Sequence, residues 1–409
     1  MDASLKDLVL LYPVYALLFA GHGLSTGQIS SLFVIWSVTG VVAEVPSGVR
    51  ADTVSRRSAL VAGALLTGAG FGLWVAVPSY PAFAVGFVLW GLGGALGSGA
   101  LEALVYEELE YLGAADRYAV LTGRSAAVAT LATAVATAAA APVFALGGFT
   151  LLGAASTAAC VLCAVAAAAL PERRGGPAPG EQGAGAAAAG ASADAGVPAA
   201  ADDGAGYGAT LRAGLGEVQR IPAVRHAVLM VIVLTTVWGS LDEYVPLLAS
   251  ATGAAVHHVP LLVLVVYAGV ALGGVPAGRA RRWGVRTTAA LLAGAAVLSA
   301  VGALSGSPLG FALPAAAFLV FQLADVVADT RLQESLTGRS RATVTSLAGL
   351  GTELTTLLVY GVYGAASGYA DHGTLFALFT LPYAVIAAVL AVRGRSGGAA
   401  GCGSPRSAG

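Results

Sequence analysis

The chain has 409 residues, 57% of them hydrophobic and 11% charged, with a formal net charge of −1. Soluble domains carry about a quarter charged residues, so this composition excludes a soluble enzyme or binding module and points to a polytopic membrane protein. The acids lie mostly beside the same arginines, so the charge balance gives no reason to expect a nucleic-acid partner.

In lipid a helix satisfies its own backbone hydrogen bonds, and roughly 17–25 apolar residues suffice to cross. About twelve such runs follow in order: 8–24, 28–47, 58–77, 81–105, 119–139 and 143–170, then 224–249, 259–277, 287–305, 309–330, 342–365 and 373–392. All 21 basic residues fall at the termini or in alternate gaps between them, with Arg124 and Arg225 in the opening turns of the runs that follow such gaps. Lys6 precedes the first run, Arg50, Arg56 and Arg57 follow the second, and Arg117 and Arg124 the fourth. Arg279, Arg282 and Arg286 follow the eighth, Arg331, Arg339 and Arg341 the tenth, and Arg393, Arg395 and Arg406 the last. By the positive-inside rule both termini are cytoplasmic, in a multi-pass protein of the cytoplasmic (inner) membrane. The first run lacks a small-residue cleavage site, so no cleaved signal is expected.

The runs divide into two six-helix halves, 1–170 and 222–393, joined by a linker over 171–221 and followed by a disordered tail over 394–409. Residues 171–208 are nearly all Gly, Ala, Pro, Ser and Asp, which cannot bury a core and form a flexible cytoplasmic join reaching roughly 35 Å. Leu211, Leu215, Val218 and Ile221 then recur at helical spacing, which fits either a short helix on the membrane face or a solvated loop. Cys160 and Cys163 in the sixth run and Cys402 in the tail offer no disulfide framework. The fold class is therefore an all-α membrane protein.

Two short echoes relate the halves. Val45-Pro46-Ser47-Gly48 ends the second run and Val275-Pro276-Ala277-Gly278 the eighth, each followed by an arginine-rich turn; Arg117-Tyr118-Ala119-Val120 and Arg341-Ala342-Thr343-Val344 open the fifth and eleventh. A duplicated six-span unit accounts for both.

Gly48-Val49-Arg50-Ala51-Asp52-Thr53-Val54-Ser55-Arg56-Arg57 resembles the cytoplasmic signature loop of the major facilitator superfamily, Gly-x-x-x-Asp-Arg-x-Gly-Arg-Arg/Lys. It departs at Thr53, where Arg is usual, and at Ser55, where Gly is usual. In the second half the acid position holds Arg282. Glu44-Val45-Pro46-Ser47-Gly48 and the stretch from Ser98 to Glu107 resemble a prokaryotic branch of that superfamily. The resemblance implies the superfamily's twelve-helix fold and a latch built from Gly48, Asp52, Arg56 and Arg57. Its partners would be the start of the eleventh span near Arg341 and the acids ending the fourth, Glu102 among them, holding the halves outward-facing. The plainer reading is that these arginines only enforce topology.

Acids inside spans cost about 2.5–3.5 kcal/mol on insertion scales, so each needs a reason. Glu44, Glu102, Asp325 and Asp329 lie near cytoplasmic ends where arginines can pair with them. Glu353 falls near the middle of the eleventh span with Gly349, Tyr360 and Gly364 on its face and no basic residue at its depth. It is either a coupling or substrate acid that exchanges a proton, or a protonated structural donor. Asp242 and Glu243, in the external half of the seventh span beside Trp238, Gly239 and Pro246, either bind substrate where the helix loosens or line a wet vestibule. Tyr12, Tyr15, Phe19 and His22 make one stripe on the first span, and Trp90, Gly94, Ser98 and Glu102 another on the fourth. Each is either a cavity wall or core.

Lys6 is the only lysine, so no phosphate-binding Gly-x-x-x-x-Gly-Lys loop exists, and the five histidines give no metal set. No enzymatic activity, metal or cofactor is expected. The reading is a secondary active transporter that moves a small organic molecule by alternating access, coupled to protons, leaning to efflux of a drug-like or secondary metabolite and acting as a monomer in the lipid bilayer. Uptake of a small metabolite and a non-transporting membrane sensor are the alternatives. Drug antiporters of the superfamily carry Gly-x-x-x-Gly-Pro-x-x-Gly-Gly in the fifth span, and Thr130 to Gly148 offers no such run. The topology predicts that cysteines placed near Arg56, within 180–200 and near Arg282 label with an impermeant thiol reagent only from the cytoplasm, and one near His257 only from outside. External labelling of the linker would overturn it.

Overall fold

The computed structural model describes residues 5–51, 55–172, 216, 218–280, 282–336 and 341–400, with backbone alone over 44–51, 341–342 and 393–400. Asp52, most of the linker and residues 401–409 lie outside the described residues. Among those described there are helices and turns and no strand. The helices are α1 (Tyr15–Gly21), α2 (Thr26–Ala51), α3 (Arg56–Ala76), α4 (Tyr80–Gly97), α5 (Ala100–Tyr111) and α6 (Tyr118–Ala168) in the first half. In the second are α7 (Pro222–Asp242), α8 (Val245–Ala251), α9 (Val259–Gly273), α10 (Ala277–Ala280), α11 (Val285–Leu304), α12 (Ala312–Ser335), α13 (Arg341–Ala366), α14 (His372–Phe379) and α15 (Leu381–Ala400).

Local chemistry explains where several of these begin. Ser25 and Gln28 form a capping box at the start of α2: the Gln28 amide donates to Ser25 Oγ at 3.2 Å and the Ser25 amide to Gln28 Oε1 at 2.9 Å. Ser55 caps α3 by accepting from the Ser58 amide at 3.1 Å. A glycine at position 55 would lose that bond, so the departure from the signature loop has a structural role. Pro222, Pro246 and Pro260 sit in the first turns of α7, α8 and α9, where a missing N–H costs nothing.

Three spans break where the sequence pattern reads as continuous or turns elsewhere. The fifth and sixth spans meet at Gly147-Gly148, not near Pro142, which lies inside the helix. Gly148 adopts φ 59°, a conformation that favours glycine and reverses the chain more cheaply than the proline does. The fourth span is interrupted at Ser98-Gly99, between α4 and α5. The seventh is interrupted at Glu243-Tyr244, between α7 and α8. The last helix also runs to Ala400, past the boundary at 393 that hydropathy suggests.

Among the described residues nine segments are long and apolar enough to cross a bilayer. One of them, Ala115–Ala168, has 54 residues and crosses twice because of its Gly147-Gly148 break. Tyr12–Gly21 is a shorter apolar helix, and α13, more polar, completes twelve. Leu131, Leu162, Val165, Val297 and Leu358 point outward and are exposed, a surface suited to hydrocarbon and unfavourable in water. Within the first half α3 packs on α4 and on the C-terminal part of α6, and α2 on α4; within the second, α12 packs on α7, α9 and α11. Contacts between the halves run mainly through α2 against α13, α9 against α6, and α8 against α1.

Candidate functional site

The halves enclose a cavity of about 410 Å³, within the range of small-molecule sites. Trp36, Ser37 and Gly40 of α2 and Trp90, Gly94 and Ser98 at the end of α4 line one side; Thr235, Gly239 and Glu243 of the seventh span and Glu353, Thr356 and Tyr360 of α13 line the other. Glu353, Thr356 and Tyr360 are three and four residues apart and so share one face of α13. The cavity therefore receives one acid from each of two second-half helices and an aromatic wall from the first half.

Both acids hydrogen-bond across the junction. Glu353 Oε2 accepts from Ser37 Oγ at 3.1 Å. Glu243 accepts from Tyr12 Oη at 3.3 Å through one oxygen and from Tyr15 Oη through the other. Glu243 follows the last residue of α7, still in helical conformation, and faces Tyr12 and Tyr15 of the first half. At 7% exposure Glu243 is buried, which a wet external vestibule does not fit.

The aromatic wall is one connected panel. Trp36 stacks on Trp90 with centroids 5.1 Å apart and planes 29° apart. Trp90 in turn stacks on Phe87 and meets Tyr12 edge-on at 6.0 Å. Tyr12 thus joins the tryptophan pair to Glu243.

The cavity is closed at one end and extended at the other. At the end bearing His258 and the Gly148 turn, the first turns of α2 meet the last turns of α13 so closely that a Cβ on Gly364 would lie 2.7 Å from Ser30 Cβ. Ser30 Oγ bonds Tyr244 Oη at 2.7 Å, the Tyr244 ring stacks on Tyr363 at 3.7 Å, and Tyr363 Oη bonds His372 Nδ1 at 2.9 Å. Toward the opposite, arginine-bearing end, a neighbouring chamber of about 700 Å³ shares Trp36, Trp90, Gly94 and Ser98 with the cavity and reaches Lys6, Asp7 and Glu102.

The sequence candidates divide accordingly. Glu353, Glu243, Trp90, Ser98 and Tyr360 line the cavity, Tyr12 lines the adjoining chamber, and Tyr15 reaches Glu243 from the core. Phe19 is fully buried among Tyr15, Trp74, Phe83 and Phe87, and His22 is exposed, with Nδ1 donating to the Leu18 carbonyl at 2.8 Å. Trp238 packs on Phe318, its amide donating to Tyr383 Oη at 2.9 Å. Asp242 turns away toward Tyr267 of α9. Those four side chains do not line the cavity. Asp325 accepts from Thr235 Oγ1 at 2.5 Å, a hydroxyl in place of the expected arginine.

Of the latch residues, Asp52 lies outside the described residues, and of Gly48 and Arg341 only the backbone is described. Arg56 forms an ion pair with Glu107 of α5, while Glu102 faces the chamber one and a half turns away. The sequence reading missed Glu172, at the end of the sixth span. It accepts from Ser55 Oγ and, at 3.4 Å, from the Arg57 amide, and the Arg57 guanidinium donates to the Leu170 carbonyl at 3.5 Å. Trp36, Ser37, Thr235 and Thr356 were missed too. Only their helical register relative to Gly40, Gly239 and Glu353 hinted at them.

Two helical halves around a central cavity are the architecture of a membrane transporter. The sequence profile described as Major Facilitator Superfamily matches residues 7–357, and the chain belongs to that family. Solved structures of similar fold include the nucleoside transporter NupG (TM-score 0.70, 15% identity, covering 95% of this chain and 96% of that one) and a D-xylose-proton symporter (0.65, 14%, 94% and 95%). A bacterial homologue of the human lysosomal transporter Spinster, in an inward-facing and unoccupied conformation, is also similar (0.63, 14%, 96% and 92%). No curated protein matches the chain in sequence.

The seal makes a prediction. Gly364→Val inserts a side chain where Ser30 already sits, so the mutant should still insert in the membrane but part α2 from α13. A cysteine at Thr356, in the cavity wall, should then become reactive to an impermeant thiol reagent applied from the His258 side. In the parent it should react from the arginine side alone; identical labelling in both backgrounds would show that this contact is not the seal.

Proposed function

We propose that the chain is a proton-coupled secondary active transporter of a small organic molecule, working by alternating access as a monomer in the cytoplasmic membrane with both termini inside. The observation that carries the reading is that the two acids of the cavity hydrogen-bond to the opposite half. Parting the halves breaks the Ser37–Glu353 bond, and closing the site dry around an ionised Glu353 with no basic residue in the wall is costly. A proton on Glu353 removes that cost, so the protonated carrier rearranges readily and the ionised carrier waits for water or substrate. Glu353 is the coupling group of this scheme and Glu243, held by Tyr12 and Tyr15, is the second acid.

Efflux of a drug-like or secondary metabolite is the favoured direction, because the aromatic wall suits an amphiphilic solute. Uptake of a small metabolite is the second reading, favoured by the lack of the drug-antiporter signature between Thr130 and Gly148. The loop from Gly48 to Arg57 acts as the latch, tied to α5 through Arg56–Glu107 and to the end of the sixth span through Glu172. An exposed ion pair is worth only about 0–1 kcal/mol, so Arg56–Glu107 alone does not lock a state.

Glu353→Gln mimics the neutral acid. In proteoliposomes it should abolish accumulation driven by a pH gradient while leaving substrate exchange, and wild-type pH dependence in this variant would move the coupling role to Glu243. Asp52→Asn should leave insertion and melting unchanged yet shift cysteine labelling in the cavity between the two sides. Unchanged labelling and transport would reduce the loop to a topology signal.

A further inference from the structure

We propose that the central cavity selects organic monocations carrying a flat aromatic ring; this assignment names the substrate class of the transporter reading above and rests on it. Three features of the wall combine. Its acidic side chains are Glu243 and Glu353, and no arginine, lysine or histidine is among the described residues that line it. The two carboxylates therefore have no protein cation within the site, and their described hydrogen-bond partners are hydroxyls: Ser37 for Glu353, Tyr12 and Tyr15 for Glu243. Glu243 is buried and Glu353 opens onto the cavity, and carboxylates so arranged are compensated by protons, by water or by a positive charge brought in by the ligand.

The second feature is the Trp36–Trp90 stack, which extends through Tyr12 to the Glu243 carboxylate. A ring face beside a carboxylate attracts a cation through both the π quadrupole and the charge, and a planar aromatic ligand adds stacking on the same panel. An anion meets two acids and the negative faces of two indoles. A neutral ring gains the stacking alone.

The third is room. Gly40, Gly94 and Gly239 line the cavity, and a Cβ built on any of them meets no protein atom within 4 Å. The space in front of the tryptophans is thus kept free by residues without side chains, and a side chain begun at Gly94 enters it. A cation bound there takes the place that a proton holds in the empty carrier, so substrate and proton compete for the same pair of acids.

The test is calorimetric titration of the purified full chain at pH 7.5 with four probes: N-methylquinolinium, its neutral parent quinoline, tetraethylammonium and naphthalene-2-carboxylate. N-methylquinolinium should bind at least tenfold more tightly than each of the others. Glu243→Gln should erase the preference over quinoline, and Gly94→Val should weaken N-methylquinolinium at least tenfold with an unchanged melting temperature, which separates a filled site from a misfolded one. Equal or tighter binding of quinoline or the carboxylate, or no binding of any probe, would overturn the assignment. If the preference holds but a pH gradient moves no N-methylquinolinium in proteoliposomes, the cation site stands and the transport reading fails; gradient-driven flux of neutral or anionic solutes without cation binding gives the reverse.

Discussion

Two carboxylates face the cavity between the halves, Glu243 buried and Glu353 open to it, with no basic residue among the described residues of the wall, and they constrain everything around them. An ionised carboxylate there must be hydrogen-bonded, neutralised or hydrated, and the protein supplies only hydroxyls. Because those hydroxyls come from the other half, the hydrogen bonds that tolerate the acids are also bonds that hold the halves together. Any change of charge at either acid therefore acts directly on a contact between the halves.

The helix breaks serve the same site. Glu243 ends the α7 register facing Tyr12 and Tyr15, and the interruption before Val245 and Pro246 follows directly after it, so the chain turns away beyond the acid. The interruption at Ser98-Gly99 likewise ends α4 at the cavity and starts α5 in a new direction, toward Arg56. Irregular backbone at membrane depth is tolerated where protein or a cavity, and not lipid, surrounds it, which describes both places. At the sealed end the logic is steric: small residues let α2 and α13 meet without a gap, and the tyrosines above them stack.

The aromatic stripe on the first span shows how one sequence pattern can hold two roles. Tyr12 and Tyr15 have hydroxyls that reach Glu243, while Phe19, one turn further, packs among rings and His22 ends in the open. Periodicity alone cannot separate these, because a helix face that borders a cavity at one depth borders a packed wall at another. The signature loop gives a similar lesson, since Ser55, which departs from the usual glycine, turns out to cap α3 and to bond Glu172 across the bundle end.

The all-helical membrane-protein fold class and the family were legible from the sequence. They depend on hydrophobicity, charge placement and short-range motifs, which act residue by residue along the chain. The place of Glu353 near the middle of α13 was legible for the same reason, since it follows from counting along the helix. Where helices break was only partly legible: Pro142 and Gly147-Gly148 compete for one turn, and the winner depends on how the neighbouring helices pack. The pairings that make the site, Ser37 with Glu353, Tyr12 and Tyr15 with Glu243, and Trp36 with Trp90, join residues up to 316 positions apart. Only the tertiary structure decided them, because the rotation and tilt of each helix about its neighbours are set by side-chain packing over the whole bundle and leave no periodic trace in any one segment.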